Sequence, residues 1–154
     1  MRESTLLAGA LDGLIATVPM TAVMEMLHDR LPADERYPLP PAELAEQVSG
    51  QPAGRGALGQ GEGRAQALAL HFAVGAAAGA LYGPLAERLR PAPVLGGVAY
   101  GMAVWTAGYL GILPSLGLLR PATEHPPRRT ALMIAAHIVW GTALGLLADR
   151  NARR

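Results

Sequence analysis

The chain has 154 residues, 51% of them hydrophobic, a formal net charge of +1 and no cysteine. That length normally means one domain. Without cysteine, disulfides, thiolate metal sites and thiol catalysis are excluded, and the near-neutral charge gives no reason to expect nucleic acid.

The distribution of charge says more than its total. Four stretches are almost free of it: residues 5–24 with one acid, Asp12, then the stretches between Arg64 and Glu87, between Arg90 and Arg120, and between Arg129 and Asp149. Each has the roughly 17–25 apolar residues that a membrane-crossing helix needs. A soluble bundle would place polar residues every third or fourth position on its wet face, and these stretches do not. All thirteen basic residues are arginine, most of them beside the ends of the stretches, where a guanidinium can snorkel to the headgroups. The expected fold class is therefore all-α: a polytopic membrane four-helix bundle forming a single membrane domain over residues 1–154.

In chain order, the first helix is expected at about residues 5–28, with Pro19 as a kink. Arg2 followed by an apolar run imitates a signal peptide, but Asp12 within the run and the lack of a small-residue cleavage site argue against removal. Residues 29–64 form a polar loop, within which residues 42–48 form a short helix opened by prolines and residues 50–63 a flexible Gly-rich run. The remaining helices are expected at about residues 65–85, 94–113 and 130–148. Pro114 is expected to stop the third, and residues 116–119 to lie in the interface. Arginine counts on the two sides nearly tie: Arg2, Arg88, Arg90, Arg150, Arg153 and Arg154 against Arg30, Arg36, Arg55, Arg64, Arg120, Arg128 and Arg129. The second set is spread over longer loops, so the expected orientation puts both termini in the cytoplasm.

Glycine recurs at four-residue spacing in every helix: Gly9 and Gly13; Gly75, Gly79 and Gly83; Gly97 and Gly101; Gly141 and Gly145. In lipid, small residues on one face let backbones approach closely. The second and fourth helices share the pattern His-x3-Gly-x3-Gly-x-Leu, at His71 and at His137. Two readings stand side by side: a duplicated helical hairpin with parallel repeats, or coincidence in a Gly-rich and Ala-rich chain.

Ionisable groups within membrane segments point by default to function. Glu25 and His28 are i and i+3, on one helix face, a spacing that metal-carboxylate bundles use. With alternating helix directions, Glu25, His28, His71 and His137 share one half of the bilayer, on the outer side. His137 lies about 10 Å below the start of its helix at ~1.5 Å per residue. The four could converge on a divalent metal, or two histidines could hold a haem with Arg64, Arg128 or Arg129 beside its propionates. The competing reading has these groups hydrogen-bonding neighbouring helices, with Glu25 pairing Arg64 or Arg128. Asp12, toward the other leaflet, is expected to bond a partner helix. Met20, Met24 and Met26 suggest copper or, more simply, packing. Trp105, Tyr109 and Trp140 read as core or belt aromatics. No nucleophile triad, phosphate loop or dinucleotide motif is present, so no catalytic residue is assigned and enzymatic activity is not expected.

These residues together resemble a family. The stretch Ala16-Thr17-Val18-Pro19-Met20-Thr21 leads to Glu25 and His28. Leu39-Pro40-Pro41, the block from His71 to Gly83, His125-Pro126-Pro127-Arg128-Arg129 and Ala136-His137-Ile138-Val139-Trp140-Gly141 follow. The set resembles the YagU-like bacterial inner-membrane proteins and their shorter relatives over most of the chain. This chain lacks the longer loops of YagU itself. The resemblance implies a four-helix inner-membrane protein and no reaction. Three functions remain: a non-enzymatic structural, assembly or partner-binding component, in contact with lipid and with a second copy or a membrane-protein partner; a metal or haem protein; or an oligomeric transporter or channel.

Overall fold

The structure is a computed structural model. It describes residues 2–50, 52, 56–89 and 92–153, with the backbone alone at residues 2–4 and 87. Helices form where the chain can begin and end them cheaply. Three start with proline in their first turn, which has no partner for an N–H anyway: α2 (Pro40–Ser49), α4 (Pro93–Thr106) and α6 (Pro127–Ala152). Helix α2 ends at Gly50, whose φ of 68° closes the turn by an N–H to the Glu46 carbonyl; such a conformation strains any side chain bearing Cβ. Helices α1 (Arg2–His28) and α3 (Gly61–Leu89) run through Pro19 and Pro84 without a break in helical assignment.

Four segments are long and apolar enough to cross a membrane: Thr5–His28, Gly61–Ala86, Pro93–Ser115 and Pro127–Ala152. At ~1.5 Å per residue each spans the ~30 Å hydrocarbon layer. Among the described residues there is no strand. The molecule is a polytopic membrane four-helix bundle, and its outward faces are apolar as lipid contact requires. On α1 the exposed face carries Leu7, Leu11, Ile15 and Val18, while Gly9, Asp12, Gly13, Ala16, Thr17, Met20 and Met24 turn inward.

The third span ends at Ser115, one residue past Pro114. It passes from α4 through a wide π-turn at Ala107–Ile112 into a last short turn, α5 (Leu113–Ser115). Proline 114 has no N–H to give Leu110 and its ring crowds the preceding turn. A widened turn just ahead of it relieves that conflict. The Gly-rich run also departs from expectation. Helix α3 begins inside it at Gly61, and Ala57 and Leu58 are buried, with the Leu39 N–H bonded to the Ala57 carbonyl at 2.8 Å. The rest of the expectation there falls on residues 51 and 53–55, which lie outside the described residues, as do Arg90 and Arg154 of the arginine comparison.

Two antiparallel hairpins make the bundle: α1 packs on α3, and α4 on α6. Their glycines meet backbone to backbone. A Cβ added at Gly9 would strike the Gly79 carbonyl, and one at Gly13 the Gly75 carbonyl. In the second hairpin, Gly97 faces the Gly141 carbonyl and Gly101 the His137 carbonyl. At the far end Gly83 meets the Thr5 carbonyl and Gly145 the Pro93 carbonyl. All these contacts superimpose if Gly9 is matched to Gly97, Gly13 to Gly101, Gly79 to Gly141 and Gly83 to Gly145. The hairpins thus share one packing register. It is displaced by one helical turn from the alignment of His71 with His137: in the contacts His137 takes the place of Gly75, and Met133 that of His71.

The hairpins join unequally. Helix α1 lies along α6, where the Trp140 indole N–H bonds the Gly13 carbonyl at 3.3 Å. There too the Asn151 amide donates to both oxygens of buried Asp12, at 2.9 and 3.0 Å. Helices α3 and α4 are held apart by a ring column, Tyr82 against Tyr100 at 5.0 Å and Tyr100 against Trp140 at 6.1 Å. The Tyr100 hydroxyl crosses this gap to the Ala78 carbonyl at 2.7 Å.

Gly79→Ala and Gly141→Ala are each expected to destabilise the bundle by ~1–3 kcal/mol, and the leucine variants by more, because a Cβ there meets backbone that cannot move aside. Thermal unfolding in detergent measures this. Unchanged melting for both leucine variants would mean that the stripes do not hold the hairpins together.

Candidate functional site

The polar residues gather in two places, a cap at one end of the bundle and a cavity beneath it. The cap is built around Arg129, in the first turn of α6 and only 2% exposed. An always-charged guanidinium that is taken out of water needs acceptors for its donors. Nη1 donates to the carbonyls of Glu35 and Tyr37 at 3.0 and 2.7 Å, and Nη2 to that of Pro38 at 2.8 Å. Glu43 of α2 supplies the countercharge at 3.5 Å. The guanidinium also lies over the Tyr37 ring, 3.4 Å from its centroid, a favourable cation–π placement.

Tyr37 is held from every side. Its carbonyl also accepts the His28 Nε2–H at 3.1 Å, and its hydroxyl meets His125 Nδ1 at 2.8 Å with the two rings stacked. A further hydrogen bond, to the Arg120 backbone, engages His125. Burial, together with the positive charges of Arg129 and Arg120, lowers the His125 pKa below its ordinary 6.5. The Glu43 carboxyl is raised by burial, against the pull of Arg129 and Arg120. An open crevice of about 770 Å³ lies between α2 and residues 117–121, with Glu43, Glu46, Gln47 and Arg120 on its walls.

The second place is a cavity of about 60 Å³ lined by Thr17 and Met20 of α1, His71, Val74, Gly75 and Ala78 of α3, Val104 and Tyr109 from the third span, and His137 and Trp140 of α6. At ~10–15 Å³ of such space per water, it has room for about four. His137 Nδ1 lies 2.8 Å from the Met133 carbonyl, and the Tyr109 ring stands edge-on to the imidazole at 5.8 Å. His71 Nε2 is buried with no hydrogen-bond partner. Tyr109, on the π-turn, also lines a smaller space of about 20 Å³ with His125, Arg129, Thr130 and Met133. It stands between the cap and the cavity.

The expected cluster of Glu25, His28, His71 and His137 divides. His71 and His137 reach the same cavity. Glu25 instead pairs with Arg64 at 2.6 Å, and His28 lies under Tyr37. Positions three apart differ by about 60° around the helix, enough to send the two side chains to different neighbours. Among the described residues no group of three or more His, Asp or Glu is placed to hold a metal ion. Nor does a space of about 60 Å³ accommodate a haem macrocycle, since pockets for ligands of such size run ~300–1,000 Å³. The expected haem-binding pair does not fit its group.

Tyr37 and Tyr109 had no assigned site role in the sequence reading. The Leu39-Pro40-Pro41 and His125-Pro126-Pro127-Arg128-Arg129 motifs that flank or contain the cap residues are visible as motifs. Nothing local says that Tyr37 and Arg129 meet across 92 residues.

Fold and site together define a small helical membrane protein with a clamped polar cap and a histidine-lined cavity. The chain matches the family described as "Protein of unknown function (DUF1440)" over residues 14–146, and it belongs to that family. No curated protein and no solved structure matches it.

The cap is expected to weaken in acid. Because the folded state holds the His125 pKa below 6.5, the unfolded chain binds the proton more readily. The stability linked to neutral His125 is complete above that value and is lost as pH falls through the folded one. Melting temperature in detergent should therefore drop between pH 7.5 and 5, with a smaller drop for His125→Gln. An identical pH slope in the variant would exclude His125 as a source.

Proposed function

We propose that this protein is a non-enzymatic component of a bacterial inner membrane whose capped end engages a membrane partner, a second copy or another membrane protein. The observation that carries the reading is the clamp on Arg129. The segment between α1 and α2 is polar and short of its own structure. Three of its carbonyls are fixed by one buried guanidinium. A buried charge is a costly way to secure a loop. Its use here supports a surface that must keep one shape. The crevice with Glu43, Glu46 and Gln47 is the feature this surface presents. Groups suited to chemistry are engaged structurally instead: Glu25 by Arg64, Asp12 by Asn151 and His28 by Tyr37.

Transport is the weaker reading. On the Asp12 side of the cavity the axis is filled by glycine-to-backbone contact and by Tyr82, Trp140 and Leu144. A pore would have to run between chains. The inner-membrane placement rests on the resemblance to the YagU-like proteins. The orientation with both ends cytoplasmic rests on the arginine distribution.

Photo-crosslinking in intact cells tests the partner. A photoreactive residue at Glu46 or Gln47 is expected to give a discrete protein adduct, whereas one at lipid-facing Leu7 or Leu95 gives none. Absence of an adduct at the cap, or equal adducts at both kinds of position, overturns the reading. Reporter fusions test orientation. A fusion after residue 154 should report the cytoplasm and one within residues 50–60 the opposite side. Reversed signals overturn the orientation alone, and signals from one side only overturn the four crossings.

A further inference from the structure

The cavity under the cap is lined by three neutral electron-pair donors, one of them without any partner. His71 Nε2 is buried in it without a partner, an arrangement that forfeits hydrogen bonding in a medium where it is hard to replace. His137 bonds the Met133 carbonyl through Nδ1. A carbonyl only accepts, so Nδ1 carries the hydrogen and the Nε2 lone pair is left free. That bond, with Tyr109 against the ring, fixes the imidazole as outer partners fix the histidine of a metal centre. The third donor is the thioether of Met20, buried on the cavity wall.

The donor set selects its guest. All three groups are neutral, and among the described residues no carboxylate lines the cavity. The cost of bringing an ion into a low-dielectric interior rises with the square of its charge, so a divalent ion without a countercharge is penalised about four times as heavily as a monovalent one. Zinc would also want a fourth ligand. Alkali cations prefer oxygen, whereas thioether and imidazole together favour copper(I). The volume suits a bare ion and excludes a chelate. The glycine contacts close the cavity toward Asp12. On the cap side it meets, at Tyr109, the smaller space lined by His125 and Met133, where the Met133 thioether is a further donor of the same character along the way in. We propose that the cavity is a binding site for one soft monovalent cation of the copper(I) class, held by His71 Nε2, His137 Nε2 and Met20 Sδ.

The test uses the full chain in detergent under anaerobic conditions, titrated with copper(I) in competition with bicinchoninate. Wild type is expected to retain one equivalent, and its X-ray absorption spectrum to show nitrogen neighbours and one sulfur. Met20→Leu conserves volume. It should leave the melting temperature of the metal-free protein unchanged while removing the sulfur shell and weakening binding. His71→Gln is expected to weaken binding by about 100-fold or more, beyond what loss of an outer partner usually costs. Should His137→Gln fail to fold, these two variants still decide the matter. Failure of wild type to hold copper against the competitor overturns the site, as does undiminished affinity in Met20→Leu and His71→Gln.

Discussion

Contact of backbone with backbone at glycine is the constraint from which the rest of this structure follows. Lipid gives two apolar helices no hydrophobic reason to associate, so association depends on close packing and on polar groups shared between helices. Gly9 and Gly13 against Gly75, Gly79 and Gly83 supply the first in one hairpin, and Gly97 and Gly101 against Gly141 and Gly145 in the other. The stripes also determine where they end. Above Gly13 the chain places Thr17, and above Gly101 it places Trp105. On the facing helices Gly75 gives way to His71, and Gly141 to His137. Thr17 still packs on Gly75 with its hydroxyl turned back to the Gly13 carbonyl, whereas His71 and His137 beyond carry rings too large for a glycine contact. The cavity opens at the level where the stripes run out.

The same comparison accounts for the unequal joining of the hairpins. In the shared packing register Asp12 of α1 corresponds to Tyr100 of α4. At Asp12 the side chain is small and satisfied by Asn151, and α1 lies close along α6. At Tyr100 a ring and a hydroxyl must be housed, and α3 and α4 stand apart around Tyr82 and Tyr100. A bundle with twofold-like contacts within its hairpins is thereby skewed between them. Trp140 fills part of the difference from the α6 side.

Much of this was legible in the sequence because it depends on local composition. Nearly charge-free stretches of spanning length marked the four crossings, and glycine at four-residue spacing identified the packing faces. The register between hairpins was not legible in the same way. Aligning His71 with His137 matches residue types, but packing register is defined by what each glycine touches, and Gly83 rather than His71 completes the matching set. The interfacial clamp was further out of reach. Arg129 has the look of a snorkelling arginine at a helix end, and only the fold shows that it is shielded from water and spends its donors on residues 35–38. Glu25 and His28 were separated by something equally non-local, the position of Arg64 at the start of the facing helix.

Cap and cavity are joined through one irregularity, and its origin can be traced to a single residue. Proline 114 denies Leu110 its helical donor and favours the wide turn at Ala107–Ile112. That turn holds Tyr109 with its ring edge-on to His137 while it also lines the space beneath Arg129 and His125. An unbroken α-helix would rotate later residues relative to the bundle, since one residue of offset turns the face by about 100°. The polar groups under the cap and those in the cavity are thus neighbours through a side chain that lies on this wide turn. Wide turns of this kind are frequent at functional sites, and here the turn lies where the two polar regions meet, opposite Met133, which lines the space under the cap and bonds His137.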